Sequence, residues 1–150
     1  MCMEYSMRCS CGAKEASFNF RDEIMPPEVI SRLYCPECSK EIAFNSQKMI
    51  ADNGWVIEYD MEVARFSALK SPHLLKEELT PEFIFDEGFA TWRGIYPGDH
   101  VDSAREREEI TRLAKIDPKA YIERIKTWGI ERMERLRKEG WRKANERQRV

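Results

Sequence analysis

The chain has no run of about 18 apolar residues, so nothing in it reads as a membrane-spanning helix. Histidine is almost missing: His73 and His100 are the only two, and neither sits in a metal or nucleophile motif. Both G-x-G-x-x-G and G-x-x-x-x-G-K are lacking, which removes the two common phosphate-cradling loops. No low-complexity tract or internal repeat is present. The opening "MCMEYSMRCSCG" lacks a basic segment followed by an apolar stretch, so no secretory signal is visible and the chain is read as cytoplasmic. In such a reducing compartment disulfides rarely persist, and paired cysteines point to a metal or redox site. No catalytic constellation emerges, and the expectation is a protein that is not an enzyme.

Of the 150 residues 42% are hydrophobic, with four tryptophans and seven phenylalanines, which is enough apolar material for a core. The overall charge of −2 hides an asymmetry. Residues 119–150 hold eleven Lys/Arg against five Glu, while residues 1–118 are net acidic. A basic tail on an acidic body either binds an acidic partner or is attracted to its own chain.

Periodicity divides the chain into a β module over 1–60, a mixed connecting region over 61–102 and a helical extension over 103–150. "SFNF" puts Phe18 and Phe20 on one face and Ser17 and Asn19 on the other. "VISRLYC" and "EIAF" read as strands on either side of a second cysteine pair, the latter with Ile42 and Phe44 on a common side. "RDEIMPPEV" is a loop, and "DNGWVIEYD" a turn followed by a strand with Trp55, Ile57 and Tyr59 alternating. "MEVARFSAL" suits a strand or a helix. "SPHLLKEEL" reads as a short helix capped by Ser71, and "TPEFIFDEGF" repeats the cap-then-proline signal at Thr80 and Pro81, although "FIF" would suit a strand. "TWRGIYPGDHVD" has the glycines and proline of a loop. The Asp102–Ser103 pair is expected to cap a helix holding Ile110, Leu113 and Ala114. Asp117 and Pro118 start a last helix with Ile122, Ile125, Gly129, Met133 and Leu136 on one stripe. Gly129 and Gly140 are expected to bend or fray it. The fold class is α+β: an N-terminal small antiparallel sheet, an irregular middle and C-terminal helices.

Four of the five cysteines fall in two clips, Cys9-x-Cys11 and Cys35-x-x-Cys38, each between strand-like segments. Four thiolates on two short loops can close a tetrahedron around Zn²⁺, with each sulfur about 2.3 Å from the metal. Cys2, seven residues before the first clip, has no partner at ligand spacing. "CSCG" and "CPEC" resemble the knuckles of the zinc-ribbon superfamily over about residues 5–46. That resemblance implies a structural zinc on Cys9, Cys11, Cys35 and Cys38, and a role in binding protein or nucleic acid. The first clip has one spacer residue where two are usual, and Ser39 stands where a glycine is common. Four thiolates would also suit a rubredoxin-like iron site that carries electrons. Cys35-Pro-Glu-Cys38 also has the spacing of a thiol–disulfide pair, although strands rather than a helix start flank it.

Two stretches have the composition of a partner surface. Trp92, Arg93 and Tyr96 share a loop, and such residues are enriched at interface hot spots, though Trp92 and Tyr96 would equally pack inward. Trp128, Arg132, Arg135, Trp141 and Arg142 interleave aromatics with positive charge, which can bind nucleic acid or dock on an acidic surface. The sequence therefore predicts a zinc-stabilised, non-enzymatic binding or adaptor protein that meets another protein, with nucleic acid as the alternative partner and no membrane.

Overall fold

The structure, a computed structural model, describes residues 5–21, 24–71 and 79–146. The short helix expected at "SPHLLKEEL", His73 and Cys2 lie outside these residues, apart from Ser71 and Leu79. The architecture is α+β, in two compact units, Met1–Arg93 and Gly94–Val150.

The first unit holds two three-stranded antiparallel sheets. In one, β1 (Tyr5–Arg8) pairs with β2 (Glu15–Asn19), which pairs with β6 (Thr91–Trp92). In the other, β5 (Trp55–Tyr59) lies between β3 (Ile30–Tyr34) and β4 (Met49–Asp52). Asn53 and Gly54 join β4 to β5 with φ of 51° and 93°, the doubly left-handed turn that Asn-Gly favours in two-residue hairpins. "MEVARFSA" resolves as a helix, α1 (Met61–Ala68), because the Asp60 side chain accepts from the Glu62 and Val63 N–H groups. The signal at Thr80 and Pro81 likewise gives α2 (Pro81–Asp86), with Thr80 Oγ1 accepting from Phe83 N at 3.1 Å.

Residues of both sheets share one core that includes Phe18, Leu33, Ile57, Tyr59 and Trp92. Trp92 is its centre. Its ring stacks on Phe18 with centroids 5.5 Å apart, and Phe85 and Trp55 meet it edge-on. The Tyr59 hydroxyl donates to the Ala90 carbonyl at 2.6 Å, so a buried polar tip is satisfied. Thr91 and Trp92, from the stretch expected to be a loop, form β6 and complete the first sheet.

"EIAF" does not form a strand. A 3-10 turn over Cys38–Glu41 runs into irregular chain, Phe44 is half exposed at 53%, and the place beside β3 is taken by β5. The reason is the better apolar match: Leu33 sits opposite Ile57, and Ile30 opposite Tyr59.

The second unit is built on two longer helices. α3 (Asp99–Thr111) starts four residues before the expected Ser103, after Gly98 at φ 86°. Asp102 does not cap it, because its carboxylate takes the Tyr96 hydroxyl at 2.7 Å and Arg105 at 2.8 Å. A 3-10 turn over Arg112–Lys115 leads to α4 (Pro118–Glu139), capped as expected by Asp117, whose side chain accepts from Ala120 N. Gly129 lies within α4 without ending it. Gly140, left-handed at φ 95°, stops it with its N–H on the Leu136 and Arg137 carbonyls. Along the expected stripe Leu136 is buried, Ile125 and Met133 are half-buried, and Ile122 is exposed. α5 (Arg142–Glu146) follows.

Candidate metal centre

The first clip is the turn of the β1–β2 hairpin. Arg8 pairs with Glu15, and the six residues between close on themselves through Cys9 N to Lys14 O and Gly12 N to Cys9 O, both 2.8 Å. Ser10 N then donates to Leu33 O at 3.2 Å, which ties this turn to β3. The second clip begins where β3 ends. Cys35 follows Tyr34 directly, and Pro36 and Glu37 turn the chain so that Cys38 faces back, with Ser39 N on Cys35 O at 2.9 Å.

Ser39, the residue in place of the glycine usual in zinc knuckles, has a local role. Its hydroxyl lies 2.6 Å from the Gly54 carbonyl and 3.1 Å from that of Pro36. Gly54 in turn packs so closely on the clip that a Cβ there would stand 3.0 Å from Pro36 Cβ. The β4–β5 turn therefore braces the "CPEC" loop. The sequence carried both halves of this contact, but nothing in the spacing of Ser39 and Gly54 linked them.

The four sulfurs of Cys9, Cys11, Cys35 and Cys38 all lie within 4.8 Å of one another, and Cys11 Sγ is 4.0 Å from Cys35 Sγ. A tetrahedron with bonds of about 2.3 Å has edges of roughly 3.8 Å, so the donor set has the size a tetrathiolate ion needs. Cys35 N donates to Cys9 Sγ at 3.1 Å. Burial pushes the Cys9 thiol up, but hydrogen bonds from the Cys11 and Cys35 backbone and from the Cys38 and Cys11 thiols outweigh it and bring it down to about 6. Cys38 is pushed up to about 12, because its hydrogen bonds to Cys9, Cys11 and Cys35 favour the protonated thiol. Cys9 thus favours the thiolate and Cys38 the protonated thiol. Cations bound among them would remove the conflict.

No protein-family model matches the chain, and no curated protein or solved structure is found similar to it. The likeness to zinc ribbons rests on the cysteines, and one part of it is corrected. The first clip is a hairpin knuckle, but the second is not, because the chain leaving Cys38 does not return beside β3.

The residues expected at a partner surface are mostly engaged. Trp92 is fully buried in the core and presents no surface. Arg93 is half-buried, its backbone N–H on Ser17 O at 2.9 Å. Tyr96 packs at a tilt on Trp141 with centroids 5.5 Å apart, and Trp141, buried, donates its Nε1–H to Glu139. Burial and the Asp102 hydrogen bond hold the Tyr96 phenol well above its ordinary range. Trp128 Nε1 donates to Glu106 at 2.9 Å, with the Arg107 and Arg132 guanidinium groups over its ring. Nη2 of Arg132 donates to both carboxylate oxygens of Asp99, Arg135 stands 3.9 Å from Glu106, and Arg142 is half-buried. Trp128, Arg132 and Arg135 of α4 thus meet residues of α3. His100, expected in a loop, lies in the first turn of α3, half-buried.

Proposed function

We propose that the four thiolates hold one structural Zn²⁺ and that the protein is a non-enzymatic binding or adaptor protein whose partner is another protein. The convergence of Cys9, Cys11, Cys35 and Cys38 carries this reading. Four protein ligands leave no open position for water or substrate, which suits a structural ion. The ion would fasten the β1–β2 turn to the end of β3. A protein partner is supported by apolar exposure on and beside α1: Phe66 is 66% and Leu69 63% exposed, next to a shallow groove lined by Ile24, Pro26 and Val63. A nucleic-acid partner has less support, because Trp128, Arg132 and Arg135 are spent on Asp99 and Glu106. Iron on the same thiolates would make the protein coloured.

The test is affinity capture from native lysate, run in parallel with the Phe66→Asp, Leu69→Asp double variant, with bound metal measured on both. A protein retained by the parent and lost by the variant, at equal zinc content, supports the reading. Equal recoveries reject α1 as the contact, and salt-sensitive capture of nucleic acid rejects a protein partner.

A further inference from the structure

The four cysteines differ in exposure. Cys9 and Cys35 are buried and Cys38 is half-buried, whereas Cys11 is exposed, in a turn whose residues 10–15 are all exposed. An oxidant from solvent therefore meets Cys11 first. A second sulfur, that of Cys35, waits 4.0 Å away. The Ser10 N to Leu33 O bond keeps the two together, because it fastens the residue before Cys11 to the strand that ends one residue before Cys35.

We propose that Cys11 is an oxidation site for hydrogen peroxide and that its reaction ends in a Cys11–Cys35 disulfide that opens the metal centre. This rests on the zinc reading above. Reactivity of a cysteine follows thiolate character and exposure, and Cys11 is the most exposed residue of the four. The Cys11 sulfur attacks one peroxide oxygen, so an S–O bond forms, the O–O bond breaks, and hydroxide leaves to become water. The Cys35 thiolate then attacks the Cys11 sulfur, forming the S–S bond and expelling the second oxygen, again as water after protonation. Two thiolates lose two electrons in all, the peroxide gains them, and two protons are taken up. The sulfurs must close from 4.0 Å to about 2.05 Å, a shift the exposed turn can supply. With only Cys9 and Cys38 left, the site has half its ligands and no longer retains the ion.

The rest of the unit is built to outlast this. The core around Phe18, Leu33, Ile57, Tyr59 and Trp92 contains none of the four cysteines. A smaller cluster of Tyr34, Met49 and Val56 packs on Cys38 and Ile42, so loosening falls on the exposed first turn and the "CPEC" side. The outcome is a local, reversible opening.

The experiment uses the zinc-loaded full chain carrying Cys2→Ser, treated with one equivalent of hydrogen peroxide in the presence of a chromogenic zinc chelator. Remaining thiols are alkylated and the disulfides mapped by mass spectrometry. One zinc released per disulfide, a Cys11–Cys35 cross-link with Cys9 and Cys38 alkylated, unchanged far-ultraviolet circular dichroism, and recovery with reductant and zinc are expected. Zinc retained under excess peroxide, a dominant disulfide of any other pairing, or oxidation of Cys9 ahead of Cys11 overturns the proposal while leaving the zinc reading intact. A chain that never held zinc overturns both.

Discussion

The indole Nε1–H of Trp92 donates to Oδ2 of Asp52 at 2.8 Å, with both side chains buried, and so joins the last strand of one sheet to the edge strand of the other. Trp92→Phe keeps an aromatic ring beside Phe18 but removes that donor from a buried carboxylate. The expected loss is at least about 2 kcal/mol. Denaturant unfolding, with unchanged slope and lowered midpoint, checks it; a change below about 0.5 kcal/mol contradicts the assignment.

In the second unit Asp99 is 2% exposed, accepts Ile95 N at 2.8 Å and is held by Arg132. Arg132→Ala strands this carboxylate and should destabilise by roughly 3–5 kcal/mol. Arg135→Ala, whose half-exposed side chain is 3.9 Å from Glu106, should cost less than about 1 kcal/mol. Equal melting points for the two variants would count against a special role for Asp99.

Gly54→Ala tests the brace beneath the second clip. Its φ of 93° strains any side chain, and the new Cβ would press on Pro36 at 3.0 Å. We expect about 1–3 kcal/mol of destabilisation and faster loss of metal to a chelator. Unchanged metal retention would separate the turn from the metal centre.

Much of this was legible in residue types and spacing. The cysteine pairs, the Asn53–Gly54 turn and the caps at Thr80 and Asp117 are local signals, and each stands where the sequence placed it. What escaped was non-local. "EIAF" alternates like a strand, but β5 matches β3 better, and no short window contains that competition. Trp92 has the composition of a surface anchor, yet its neighbours Phe18 and Asp52 lie far away in the chain. α3 starts before Asp102, which looks like a cap in the sequence but is spent on Tyr96.

The thiols give a pH signature. Cys9 stands lowered from 9.0 to about 6, so in metal-free protein its thiolate adds stability that is fully present above pH 9 and is lost as pH falls through about 6. Cys38, raised to about 12, acts in the opposite sense only above pH 9. Metal-free protein should therefore gain stability from pH 6 to 9, and zinc binding at pH 7 should release protons, that of Cys38 among them. Calorimetry in buffers of different ionisation enthalpy reads the release, and zinc binding without proton release would refute this picture of the cluster.

The most direct measurement is elemental analysis of the full chain purified without added metal, together with its visible spectrum and the count of alkylatable thiols in the folded state. The account predicts close to one zinc per chain, no colour, and protection of Cys9, Cys35 and Cys38 until a chelator is added, with Cys11 the first to be alkylated. Folded protein with little zinc and all four thiols freely alkylated, or a coloured protein holding iron, would contradict it.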